Sequence, residues 1–140
     1  MGIFRNKFNE YREKQQKARE EAIEAYNKAE SRFKAYINDI IKEVKGEKHG
    51  YKYYLKLKHI HISKDDIEAE ITIMAPGFNN EDFDTVSDIQ QDCLNKISEV
   101  QDKLNKKYGI NNIEVIDGEI ISYSNKIADV IFGIDRKGYY

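Results

Sequence analysis

Residues 51–74 read YKYYLKLKHIHISKDDIEAEITIM, and the reading of this run decides the fold. Apolar and polar residues alternate from Tyr51 to Ile62, with the phase changing at Lys58-His59. A short polar break at Ser63-Lys64-Asp65 follows, and then DIEAEITIM alternates again. Period-two patterning on both sides of a three-residue break predicts an antiparallel hairpin, closed by Pro76-Gly77. Within it, parity places Tyr51, Tyr53, Leu55 and Leu57 on one face and Lys52, Tyr54, Lys56 and Lys58 on the other. Carried on, the same parity sets His59 and His61 on the apolar face and Ile60 and Ile62 on the polar one. Either the histidines sit at the edge of the core face, or a bulge near Lys58 inverts the register and exposes them.

Outward from this hairpin the pattern changes period. From Phe4 to about Val44 apolar or small residues recur in steps of three and four (Phe4, Phe8, Tyr11, Ala18, Ala22, Ala25, Ala29, Phe33, Tyr36, Ile40, Val44), which predicts one long amphipathic helix, or two end to end. Its seam is uneven. Gln15 and four alanines occupy 15–29, whereas 33–44 is rich in Phe, Tyr and Ile; a bulky stripe belongs against a core and an alanine stripe against a close neighbour. The first thirty residues are therefore expected to project or to pair with another chain. Lys45-Gly46-Glu47-Lys48-His49-Gly50 reads as the helix stop and a turn.

Downstream, NNEDFDTVSDIQQDCLNKISEVQDKLNKKYG has acids in its first turn, lysines in its last and Gly109 at its end. It sets Phe83, Val86, Cys93, Ile97, Val100 and Leu104 on one face of a second helix. Asp117-Gly118 between IEVI and EIISYS reads as a second hairpin turn, and KIADVIFGI as a further strand or a short helix. The expectation is an α+β fold: a helical segment over 1–48, then a compact body over 49–140 with an antiparallel sheet of two hairpins packed on the second helix.

At 140 residues, with 34% charged and 40% apolar residues and one proline, the chain has the size and composition of a single globular domain. It contains no apolar run long enough for a membrane span and no apolar leader, and Asn6 stands where a myristoylation signal needs Ser or Thr, so a cytoplasmic protein is expected. Cys93 is alone and reads as a small buried hydrophobe. The net charge of −2 hides a segregation, with +3 over 1–48 and −5 over 49–140; between 65 and 102 eleven carboxylates face one lysine, Lys96.

The polar face of the first strand interleaves charge and an aromatic ring, Lys52, Tyr54, Lys56 and Lys58, as a surface that holds phosphates and stacks a base would. Hairpin pairing sets Lys58 against Glu70 and Lys56 against Thr72, consuming part of that charge. The helical N-terminus offers Arg5, Lys7, Arg12, Lys14, Lys17 and Arg19, with acids at i, i+4 spacing as the plainer explanation. No Gly-rich phosphate loop, cysteine cluster, nucleophile elbow or His-Glu-x-x-His occurs, so no cofactor is assigned and a binding protein is the expected class.

His59-Ile60-His61 on a strand resembles the metal motif of the rolling-circle replication and relaxase (HUH-type) nucleases, and Tyr123-Ser124-Asn125-Lys126 resembles their Tyr-x-x-Lys. That resemblance implies a divalent metal on His59 and His61; apart from it, two imidazoles at i and i+2 on a strand can share a cation in a simpler site with His49 or Asp66. The resemblance also implies Tyr123 as nucleophile and Lys126 as a charge stabiliser. The family's N-terminal strand motif is absent. In architecture the whole chain resembles small phage-encoded anti-CRISPR proteins. The likeness lies in a basic helix opening with Arg5-Asn6-Lys7-Phe8-Asn9-Glu10-Tyr11-Arg12, a hairpin, an acidic-to-basic helix and a closing hairpin, in an AT-rich-genome residue bias. It implies a non-catalytic inhibitor of a host-defence nucleoprotein and transfers no residue roles. The expected partners are a protein or protein–nucleic acid complex, with direct nucleic-acid contact and self-association through the helix as alternatives.

Overall fold

In the computed structural model the described residues are 2–79 and 82–135, with side chains described throughout except at 2–9, 22, 23, 25 and 26. Helix α1 (Gly2–Glu43) runs into strands β1 (Lys45–Lys48), β2 (Tyr51–Ile62) and β3 (Asp66–Met74), then helix α2 (Phe83–Tyr108) and strands β4 (Glu114–Tyr123) and β5 (Lys126–Asp135). The strands form one antiparallel sheet in the order β1-β2-β3-β5-β4. The fold is α+β, as the periodicities predict.

One face of the sheet carries the core. Tyr53 and Leu55 from β2, Ile67, Ala69, Ile71 and Ile73 from β3, and Val130, Phe132 and Ile134 from β5 are buried against the two helices. Helix α1 meets them with Phe33, Tyr36, Ile37, Ile40 and Val44, and α2 with Val86, Ile89, Cys93, Ile97 and Leu104. The helices are also tied by polar contacts. Asp39 of α1 accepts from the Tyr108 hydroxyl (2.5 Å) and the Lys107 ammonium (3.0 Å), bonds that hold its carboxyl below the usual carboxylate range. Helix α2 ends at Gly109 (φ 65°) as its sequence predicts, and it opens at Asp82, whose carboxylate caps the Thr85 N–H at 2.7 Å.

Three expectations need correction. The stretch 45–50 is more than a helix stop, because Lys45–Lys48 is an edge strand paired with β2 through a two-residue turn at His49-Gly50, both with positive φ (52° and 81°). Its polar sequence carries no strand periodicity, and β2 supplies the order: a Cβ on Gly46 would lie within 2.6 Å of the Tyr53 ring, so only glycine lets that ring lie across β1. Asp117-Gly118 is not a turn. Strand β4 runs through it with a register shift, and Gly118 serves a close approach in which a Cβ would stand 2.7 Å from the Asp129 carbonyl oxygen. The hairpin turns instead at Ser124-Asn125 (φ 54° and 67°), and KIADVIFGI is strand β5. Phe83 does not join the core but is 70% exposed in the first turn of α2, with Ile89 on the inner face the sequence reading left out. The helical extension is anchored in the same core through Ala29, Phe33, Tyr36, Ile37, Ile40 and Val44.

Candidate interaction surfaces

The other face of the sheet has no layer over it among the described residues, and the register determines what it displays. A shift between Leu57 and His59 in the β2–β3 pairing inverts β2, so Ile60 turns to the core while His59 and His61 join the open face opposite Glu70 and Glu68. The Lys58 ammonium lies 3.2 Å from Glu70 and 3.6 Å from Asp129, and the Glu70 bond and the Asp129 charge raise its pKa. Its charge is spent inside the sheet. The exposed Lys52, Tyr54 and Lys56 point outward as predicted, with Lys56 opposite Thr72, whose hydroxyl donates to Asp129 at 2.8 Å.

Registers across all five strands sort this face by charge. One row of partners runs Lys45, Tyr54, Met74, Lys126, Tyr123. Lys56, Lys58 and Lys126, together with Asp129, Leu57, Thr72, Met74 and Ile121, line a cavity of about 250 Å³ beside it. At the opposite end of the strands Asp65, Asp66, Glu68, Glu114 and Asp135 line a cavity of about 360 Å³. Lys45 was missed from sequence, and Lys126 was singled out only as part of the Tyr-x-x-Lys motif, because they belong to strands β1 and β5, whose lateral pairing no local pattern reports.

The metal reading gathers no centre. His49 lies in the β1–β2 turn, 2.7 Å from Asp88 of α2, and eight residues of extended strand, about 26 Å, separate it from His59. Asp66 accepts from the Ser63 hydroxyl at 2.5 Å, and His59 Nδ1 lies 3.3 Å from Glu70. Among the described residues no group of three or more His, Cys, Asp and Glu side chains could hold a metal ion. Tyr123 sits at a hairpin end rather than on a helix, paired with Lys126 and 56% exposed. Three strands across and about five residues along the sheet put it roughly 20 Å from His59, too far for one phosphate to meet both.

The second surface is the free part of α1. Every described side chain from Glu10 to Lys28 is exposed, Tyr11 at 61%, and burial begins only at Ala29. At 1.5 Å per residue the helix extends about 40 Å before it reaches the core. Arg12, Lys14, Lys17 and Arg19 lie on this projection, while the side chains of Arg5 and Lys7 lie outside the described residues. Cys93 is buried, and burial with the neighbouring Asp92 charge pushes its thiol up to about 12, a structural rather than a reactive state. Among the described residues no helix is long and apolar enough to cross a membrane. Comparison with known protein families, curated proteins and solved structures finds no match for this chain.

Proposed function

We propose that this protein is a non-catalytic interaction protein whose binding element is the projecting part of α1, with the charged open sheet as a second contact surface. The supporting observation is the run of exposed side chains from Glu10 to Lys28 on a helix anchored in the core only from Ala29. A helical stretch without tertiary contacts gains little stability of its own, so its retention makes sense where a partner completes its packing. The concrete form of this reading is a phage or mobile-element inhibitor of a host-defence nucleoprotein. It rests on the anti-CRISPR-like architecture and on segregated charge suited to a nucleoprotein groove. The test is cleavage by guide-loaded Cas nucleases with the full chain and with residues 1–25 deleted. Inhibition by the full chain and none by an equally folded deletion is expected. Equal inhibition by both would remove the arm from the mechanism, and no inhibition of any nuclease would remove the defence role.

A second reading has its own observation. The row Lys45, Tyr54, Lys126, Tyr123 sets two exposed tyrosines and two lysines across the sheet, the elements of a surface that stacks bases and holds phosphates. Binding of a single-stranded oligonucleotide that falls steeply with salt and is lost in Lys56→Glu/Lys126→Glu supports it. Salt-independent binding, or none, argues against it.

A further inference from the structure

The projecting segment carries a regular seam. Tyr11, Gln15, Ala18 and Ala29 fall on a strict alternation of three- and four-residue steps that the sequence extends through Ala22 and Ala25, and toward the N-terminus through Phe8 and Phe4. This is the heptad of a coiled coil. The heptad breaks, with two successive steps of four, on passing from Ala25 through Ala29 to Phe33, the place where α1 becomes buried. Sequence period and burial thus mark the same boundary, which separates a helix face made for the core from one made for another helix.

Charge around the seam is partitioned. Among the described residues the positions flanking it are Arg12 and Arg19 on one side and Lys14, Glu21 and Lys28 on the other. Four of these five are basic. The acids Glu10, Glu13, Glu20 and Glu24 stand on the back of the helix, away from the seam. Flanking charges choose coiled-coil partners, and these choose against a second copy. Parallel self-pairing would set Lys14 against Arg19, and antiparallel self-pairing that matches large seam residues with alanines would set Arg12 against Arg19 and Lys7 against Lys28, with Lys14 and Glu21 the one attractive pair. A lipid surface fits poorly because the apolar stripe is only the narrow two-in-seven seam, whereas helices that lie in a membrane interface carry a wide apolar face. A polyphosphate backbone needs the bases but leaves the heptad without a use.

We infer that the projecting part of α1 forms a heterotypic coiled coil with a partner helix whose own seam is flanked by Glu or Asp. This deepens the interaction reading above and rests on it. The partner's carboxylates meet Arg12, Arg19 and Lys14, and its bulky seam residues fill the space over Ala18 and its alanine neighbours.

The test uses the full chain and two labelled synthetic peptides of four heptads, both with leucine at the seam positions, one flanked by glutamates and the other by lysines. Fluorescence anisotropy should give at least about tenfold tighter binding of the glutamate peptide at low salt, a preference that shrinks as salt rises. Lys14→Glu/Arg19→Glu should abolish the preference, with the melting temperature of the body unchanged. Equal affinity for the two peptides, or binding that survives deletion of 1–25, overturns the inference. An arm-dependent dimer in sedimentation overturns it in favour of self-pairing. Loss of peptide discrimination alongside a deletion-sensitive nuclease assay would remove the acidic-helix partner and leave the interaction function standing. Peptide discrimination without any deletion-sensitive effect would do the reverse.

Discussion

Tyr53 concentrates the constraints of the body in one side chain. Its ring is buried across Gly46, and its hydroxyl donates to Asp92 of α2 at 2.5 Å, so one residue joins edge strand, central sheet and helix. Tyr53→Phe should cost about 1 kcal/mol in urea unfolding, the usual value of one such bond. Burial first, and the Asp92 carboxylate next, raise the phenol's pKa in the folded state. A group whose folded pKa is raised stabilises the fold below its unfolded pKa and loses that contribution as pH climbs through and above it. The native protein should therefore lose stability above about pH 10, and Tyr53→Phe should blunt that loss; equal alkaline slopes would contradict the assignment. His59 and His61 show how far residue patterning reaches. Parity broke within KHIHIS itself, leaving two placements, and the shift after Leu57 selects the exposed one because it returns Ile60 to the core.

At the scale of elements, the β4–β5 hairpin depends on Asn125. Its positive φ makes the turn, its side chain accepts from the Gly77 N–H at 3.0 Å, and its backbone bonds Ala75 and Phe78, tying this turn to the loop before α2. Asn125→Gly keeps the backbone freedom and loses one hydrogen bond, whereas Asn125→Ala loses both. Thermal unfolding should rank native above Gly above Ala, with the alanine variant down by about 1–2 kcal/mol. These contacts explain why Asp117-Gly118, the better turn signal locally, lost: the alternative pairs more backbone and satisfies a second loop. For α1, deletion of residues 1–25 should leave the melting temperature of the body within a few degrees of the native value, because the described residues in that stretch are exposed. A collapse of the fold would show that the projection packs on the body after all.

For the whole molecule, lateral strand order turns scattered charges into a lysine- and tyrosine-bearing end and a carboxylate-bearing end of one open face. Ligands of a bound metal would have to be drawn from partners already engaged, His59 from Glu70 and His49 from Asp88. Added Zn²⁺, Mn²⁺ or Mg²⁺ should accordingly shift the melting temperature of the native chain and of His59→Ala/His61→Ala equally. A stabilisation confined to the native chain would restore the metal reading. By itself the sequence determined the two helices, the central hairpin, the glycine stop of α2, the projecting arm and its heptad, because those features depend on periodicity and on residues near in the chain. Only the tertiary structure decided the edge strand β1, the true turn of the last hairpin, the side on which the histidines lie and the sorting of charge across the sheet. Each of these follows from pairing between strands distant in sequence, where backbone hydrogen bonds and burial outweigh the local preference of a few residues.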